Sequence, residues 1–318
     1  MDVTAPRVSE RRVHVVPLGH ERDRIVEPLR RHRADVVYLL ADAPDRSGER
    51  GAVDFDVDFD DPEATRVDQN ALTDYQRDAW ETVAGFAEVR MLPVELADVY
   101  DVLGVTTTVA ARHGAGGSNS GGYGGYATAH RSSRNGHEES RNGHGESRNG
   151  RDRLFANVST GPRVAAVGVA MACMIVGARP YSVEPETHHH AVREEPLTAG
   201  VERTVDLPLY PMDAPTHDQV AVLGRLYERS DADRTTDKWN LIEWAHDHEL
   251  AFLKEAGDSR TAKYRALETR VLDPLRDRGY VELEPVGRSD TVHLTGIGRR
   301  VFFAFQHKLN DQGSPEPR

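Results

Sequence analysis

The stretch RVHVVPLGHERDRIVEPLRRHRADVVYLLA, residues 12–41, decides the fold. Its opening run, residues 12–18, is short and apolar and stops at Gly19, while residues 35–41 place Val36, Val37, Tyr38, Leu39 and Leu40 in succession. Consecutive rather than alternating apolar residues suit a strand covered on both faces, as in a parallel sheet. Between the two runs, ERDRIVEPLRRHRA sets Ile25, Val26 and Leu29 at helical spacing. Strand, turn, helix and strand make a βαβ unit.

The alternation continues downstream. The spacing predicts a helix from Asn70 to Phe86, a strand from Glu88 to Pro93 and a helix from Asp98 to Arg112. RLFANVS (153–159) then reads as a strand, GPRVAAVGVAMACMIVG (161–177) as a buried helix and ARPYSVEP (178–185) as a strand. Five strands and four helices in this order predict an α/β Rossmann-like parallel-sheet domain over residues 1–184. Residues 114–151 interrupt it with glycines and a tandem heptad, SRNGHEE, SRNGHGE and SRNGRDR, starting at Ser133, Ser140 and Ser147. Asn-Gly in every repeat and almost no aliphatic residue predict a disordered insertion, in which His137 and His144 recur by repeat expansion rather than as metal ligands.

Beyond this domain the pattern changes. Residues 185–215 are proline-rich and read as a linker, with one extra strand at Val201 to Leu207. THDQVAVLGRLYERS, KWNLIEWAHDHEL and SRTAKYRALETRVLDPLRDRG follow as three amphipathic helices, and YVELEPVGRSDTVHLTGIG as a hairpin. Three helices and a wing predict a mainly α winged-helix domain over residues 216–309, ahead of a disordered tail at 310–318. A last helix, Gly298 to Leu309, has Val301, Phe302, Phe303 and Phe305 either to pack on the chain or to bridge a dimer.

Composition narrows the function classes. A chain of 318 residues is long enough for two ordinary domains. A mean hydropathy of −0.60 leaves no run able to span a bilayer. The N-terminus carries no secretory signature, so a cytoplasmic protein is expected. The single cysteine, Cys173, lies in an apolar run and reads as packing. Acids outnumber bases, 52 to 40, and Lys238, Lys254, Lys263 and Lys308 are the only lysines. Such an acidic, arginine-for-lysine balance predicts a salt-rich cytoplasm, where self-repulsion is screened.

Ligands of open α/β sheets bind beyond the carboxyl ends of the strands. Two loops stand there: one with Gly19, His20, Arg22 and Arg24, the other with Asn157, Ser159, Thr160, Gly161 and Arg163. In the second, hydroxyls, a glycine and an arginine at a helix start fit an anion such as phosphate. A plain Ser/Thr helix cap beside a surface arginine explains the same residues.

Together, VHVVPLGHERDRIVEPL, FANVSTGPRVAAVGVAMACMIVGARPYSVEP and the winged-helix end resemble haloarchaeal transcriptional regulators with an N-terminal CARF-like domain, the CRISPR-associated Rossmann fold. The resemblance implies a homodimer that holds a cyclic oligonucleotide, typically cyclic oligoadenylate, between the loops after the first and fourth strands. Those loops hold the residues just named. Gly161, Pro162 and Arg163 stand where the family has glycine, threonine and lysine, which keeps a cation and loses one backbone donor. Some CARF domains cleave their ligand, and Ser159, Thr160, His20 and Arg163 are the residues for such a reaction; a ligand-free dimerisation scaffold is the third reading. The expectation adopted is a sensor without enzymatic activity and without a cofactor or metal.

One segment of the output half carries the opposite charge to the whole. From Ser259 to Val271, Arg260, Lys263, Arg265 and Arg270 face one acid, Glu268, in a chain of net charge −12. With Leu267, Val271 and Leu275 turned to a core, Arg260, Thr261, Lys263 and Tyr264 occupy the end that enters a major groove of double-stranded DNA. Arg265 and Arg270 suit phosphates, and Arg288 at the hairpin tip suits a minor groove or backbone. A basic helix on a protein-interaction module is the alternative. The acidic run DFDVDFDD (54–61) reads as an edge strand, because Phe59 and Thr65 stand where a calcium loop needs glycine and glutamate. His188, His189 and His190 lie in the linker, His246 and His248 point to different faces, and Trp239 and Trp244 read as core.

Overall fold

A computed structural model describes residues 10–42, 72–114, 152–188, 198–210, 212–232, 234–254, 256–257, 259–286 and 289–310. The heptad repeats up to Arg151, the acidic run 54–61, His189, His190, Arg288 and residues 311–318 lie outside the described residues.

The predicted βαβ start is present as β1 (Arg12–Pro17), α1 (Arg22–Arg31) and β2 (Val36–Asp42), the two strands running parallel. Then come α2 (Asp74–Ala84), β3 (Glu88–Val94), α3 (Val99–Arg112), β4 (Arg153–Asn157), α4 (Arg163–Val176) and β5 (Arg179–Glu184). A small ribbon, β6 (Thr187–His188) with β7 (Thr198–Ala199), precedes β8 (Arg203–Asp206). The sheet order is β3-β2-β1-β4-β5-β8, with the first five strands parallel and β8 antiparallel to β5. The segment read as a linker therefore supplies the sixth strand, at the site of the extra strand predicted from Val201 to Leu207. Its polar Arg203, Thr204 and Asp206 suit an edge that is only partly covered.

The continuous apolar runs serve two interiors. Val13 and Val15 pack with Val102, Val105, Ala165 and Val169 under α3 and α4. Val16, Val37 and Leu39 pack with Ile25, Leu29, Ala79 and Val83 under α1 and α2. Each such side chain contributes about 1.5–3 kcal/mol on full burial, so losing alternation gains a second core. Cys173 is buried among these groups, and burial pushes its thiol up to about 12, as a packing residue requires.

The remaining chain forms α5 (His217–Asp231), β9 (Thr236–Asp237), α6 (Lys238–Asp247), α7 (Ala251–Lys254) and α8 (Arg260–Leu267). A π turn, Glu268–Leu272, carries α8 into α9 (Asp273–Asp277). The hairpin β10 (Val281–Val286) and β11 (Ser289–Leu294) follows, with β9 antiparallel to β11, then α10 (Gly296–Phe305) and α11 (His307–Asn310). Leu267, Val271 and Leu275 are buried, the face that their spacing assigns to the core. The whole is an α/β Rossmann-like domain followed by a mainly α winged-helix domain.

The two halves share an interior. Leu103 of α3 and Ala172 of α4 lie in the same cluster as Val220, Leu223, Leu267 and Val301. α10 rests on α3, where the Thr107 hydroxyl is 3.5 Å from the Ala304 carbonyl and the Arg300 guanidinium lies 5.9 Å over the Tyr100 ring. The last helix thus packs on its own chain. α3 in turn meets α4 closely, since a Cβ on Gly168 would stand 2.9 Å from the Val99 carbonyl oxygen and the Val102 Cβ.

Candidate functional site

Strand order reverses between β1 and β4, so the chain leaves these neighbours toward opposite faces of the sheet and opens a crevice at their carboxyl ends. Gly19 and Gly161 meet there. A Cβ on Gly19 would lie 2.6 Å from the Gly161 nitrogen, and one on Gly161 would lie 2.8 Å from the Pro17 Cβ. Gly161 also holds φ at +73°, a left-handed conformation that glycine adopts without a Cβ penalty. The Thr160 hydroxyl donates to the Pro17 carbonyl at 2.8 Å and ties the loops below the crevice.

Several predicted ligand residues are instead committed to the protein. Asn157 is wholly buried; its amide donates to the Arg24 carbonyl at 2.9 Å, and its Oδ1 accepts from the Ser159 amide and hydroxyl at 2.9 and 2.6 Å. The Ser159 oxygen accepts from the Val183 amide at 3.0 Å. Arg24 donates to the Val183 carbonyl at 3.1 Å; burial lowers its pKa, which Glu21 at 3.9 Å opposes. Arg22 pairs with Asp78 on α2 and donates to Thr82 at 3.1 Å. These four side chains, with Thr160, join loop, helix and sheet. Neither hydroxyl caps α4, whose cap is Pro162 without a side-chain bond. Spacing alone places Ser159 and Thr160 beside a helix start, but not the strand carbonyl and amide that occupy their hydroxyls.

The crevice rim holds Gly19, His20, Gly161 and Arg163. Arg163, the first residue of α4, is exposed and has no ion pair among the described residues. Thr73, Asp98, Thr216, Asp237, Ser259 and Thr295 cap α2, α3, α5, α6, α8 and α10 through their side chains. α1 and α4, the two helices that start at the crevice, have no such cap. Their first amides remain available to an anion. No cluster suited to a metal ion occurs among the described residues.

In the winged-helix domain, α8 has an exposed start. Ser259 caps it by accepting from the Ala262 amide at 3.2 Å; Arg260, Thr261 and Arg265 are exposed, and Lys263 and Tyr264 half-buried. Lys263 and Arg265 have no ion-pair partner among the described residues. Arg270 turns back toward the Phe252 carbonyl at 3.5 Å instead of pointing out with them. Beneath the helix, Lys238 bonds Glu268 at 2.8 Å and Asp290 at 2.5 Å. Burial disfavours its charge, but the two carboxylates outweigh this and raise its pKa. That cation joins the turn at the end of α8 to the β10–β11 hairpin. Trp239 and Trp244 are half-buried against the core, as read from sequence. Trp239 has a further role that their spacing does not reveal, taken up below.

Residues 218–306 match the DUF6293 C-terminal winged helix domain. Residues 12–119 and 145–188 match a second model, HFX_2341_N-like, N-terminal. Three solved structures are similar. Enterococcus italicus Csm6 bound to cyclic hexa-2'-fluoro-hexa-dAMP is 9% identical, with 86% of this chain and 57% of that chain covered and a TM-score of 0.34. Can2 from Sulfobacillus thermosulfidooxidans in complex with cyclic tetra-adenylate is 11% identical, with 93% and 64% covered and a TM-score of 0.32. Protein VC1899 from Vibrio cholerae is 10% identical, with 93% and 65% covered and a TM-score of 0.30. The chain thus spans 57–65% of the length of these proteins. No curated protein matches it. Among the described residues, no helix is long and apolar enough to cross a membrane. The matched winged helix domain includes α8 and the hairpin β10–β11.

Proposed function

We propose that this protein is a ligand-responsive transcriptional regulator of a salt-rich cytoplasm, a homodimer that binds double-stranded DNA through the winged helix and an anionic nucleotide through the crevice at Gly19 and Gly161. The observation that carries it is the start of α8, where Lys263 and Arg265 stand without ion-pair partners in a chain of net charge −12. A local cationic face in an acidic protein serves an anionic partner, and the winged helix presents it at groove depth. The uncapped starts of α1 and α4, with Arg163 beside them, support the sensing half. Cyclic oligoadenylate is the first ligand to test, given the resemblance to CARF domains.

Coupling follows the shared interior: α4 begins at the crevice, meets α3 at Gly168, and α3 carries α10 of the winged helix domain. A ligand shifts DNA affinity only by its unequal affinity for two arrangements of these helices. We place the movement at this contact, since part of the segment 185–215 belongs to the sheet. The ligand is returned intact, because the Ser159 and Thr160 hydroxyls already serve internal acceptors. One observation favours a second reading: Asn157, Ser159, Thr160, Arg22 and Arg24 are all committed internally, which suits a ligand-free dimerisation scaffold.

Thermal unfolding in molar KCl against cyclic oligoadenylates and simple nucleotides separates the two. A bound ligand at a hundredfold excess over its Kd stabilises the native state by about 2.7 kcal/mol. The sensor reading expects one selective upward shift, abolished in Arg163→Ala; no shift with any nucleotide leaves the scaffold.

A further inference from the structure

The recognition helix has one cation held unlike the others. Arg260, the first residue of α8, lays its guanidinium 4.4 Å over the Trp239 ring and 5.7 Å over the Tyr264 ring. Those two rings are themselves stacked, with centroids 5.8 Å apart and planes at 24°. Trp239 comes from α6 and is fixed in turn, its indole N–H donating to Glu243 at 2.6 Å one helical turn away. Lys263 and Arg265 have no such platform.

Stacking covers the faces of a guanidinium and leaves its N–H groups, which lie in the plane, free to bond. The Arg260 donors have no hydrogen bond or ion pair among the described residues. An arginine stacked on two anchored rings is held in few rotamers before it meets a partner, so less entropy is lost in binding. In a major groove, the partner that matches two parallel N–H donors is the O6 and N7 edge of guanine. A flexible lysine, by contrast, meets phosphate as a point charge.

We infer that Arg260 reads a guanine base and that Trp239 and Tyr264 are its positioning residues, with Lys263 and Arg265 left to the phosphates. The inference rests on the winged helix binding double-stranded DNA. It goes beyond that reading by dividing the cations of α8 into one that specifies sequence and two that supply affinity.

The test is selection from a random-sequence duplex library by the full chain, followed by affinity measurements against salt for the selected duplex and for its guanine-substituted versions. Wild type should select a fixed guanine and lose roughly ten- to a hundredfold in affinity when it is replaced. Arg260→Lys keeps the charge, so it should keep the salt dependence while levelling the guanine preference. Trp239→Phe, which retains a ring, should preserve the preference; Trp239→Leu should weaken it with little effect on the salt slope. Lys263→Ala or Arg265→Ala should lower affinity for all duplexes alike and reduce the salt slope by about one. Arg260 is exposed, so its variant does not fail through folding. A wild-type protein that binds no duplex overturns the DNA reading and this inference with it. If it binds and Arg260→Lys retains the guanine preference, base reading by Arg260 is overturned while DNA binding stands. If only Trp239→Leu matches wild type, the platform is overturned.

Discussion

Gln219 and Arg270 are joined across the winged helix domain: the Gln219 side-chain amide donates to the Arg270 backbone carbonyl at 3.0 Å. That carbonyl is open because the residue four positions on is Pro274, which has no N–H to close an α-helical bond. The π turn at Glu268–Leu272 lies at this gap. Gln219 is buried, and its other amide atom accepts from the Thr216 amide at 3.2 Å as half of a capping box. One side chain therefore starts the first helix of the domain and supports the π turn that follows α8.

Replacing Gln219 with leucine should cost about 1–3 kcal/mol, because it removes two hydrogen bonds, to the Arg270 carbonyl and from the Thr216 amide, of about 0.5–1.5 kcal/mol each. Urea unfolding measures this. A change within error of zero would mean that the carbonyl finds another donor.

Gly161→Ala should destabilise the protein by roughly 1–3 kcal/mol, from left-handed strain together with the displacement of Pro17. It should also remove any nucleotide-dependent thermal shift, since it separates the two loops of the crevice. An alanine variant with wild-type stability would show that the loops are not in forced contact.

Acid sensitivity should centre on His14. Burial, then His32 and Arg12, lower its pKa from 6.5 to about 3. The ring stacks on Phe155 at 4.9 Å, and its Nδ1 lies 3.3 Å from the Tyr181 hydroxyl. Between these values the unfolded chain takes up a proton that the folded one refuses, so stability falls as pH drops from about 6.5 toward 3. His307, lowered to about 4 chiefly by burial and then by Lys308, acts in the same direction. The ΔG of unfolding against pH should therefore slope downward into acid, and His14→Phe should flatten that slope. An unchanged profile in the variant would assign the acid sensitivity to other groups.

Much of the fold was legible because burial on both faces leaves consecutive apolar residues, as at Val36 to Leu40, and because helix faces repeat, as at Leu267, Val271 and Leu275. The edge strand β8 was only half legible, since Thr204 and Val205 pair with β5 through backbone bonds that any residue makes. For the site, the two loops were marked by position and the glycines by their type. Which hydroxyls stay free was not marked, because Thr160 and Ser159 spend theirs on Pro17 and Asn157, contacts set by how strands lie together. Trp239 shows the same limit, for helical spacing gives its apolar side and says nothing of an arginine 21 residues later in the chain.

The shared interior bears on how such a protein can be recombined. A cut between β8 and α5 is where a builder would part the two units, yet each piece would carry an unfinished wall: α3 without its cover, and α10 with Phe303 turned to water. Neither piece is a ready-made cassette. Exchange of either half for that of another protein would need matched changes on both sides of the seam, which ties the inheritance of the winged-helix domain to that of the Rossmann-like one.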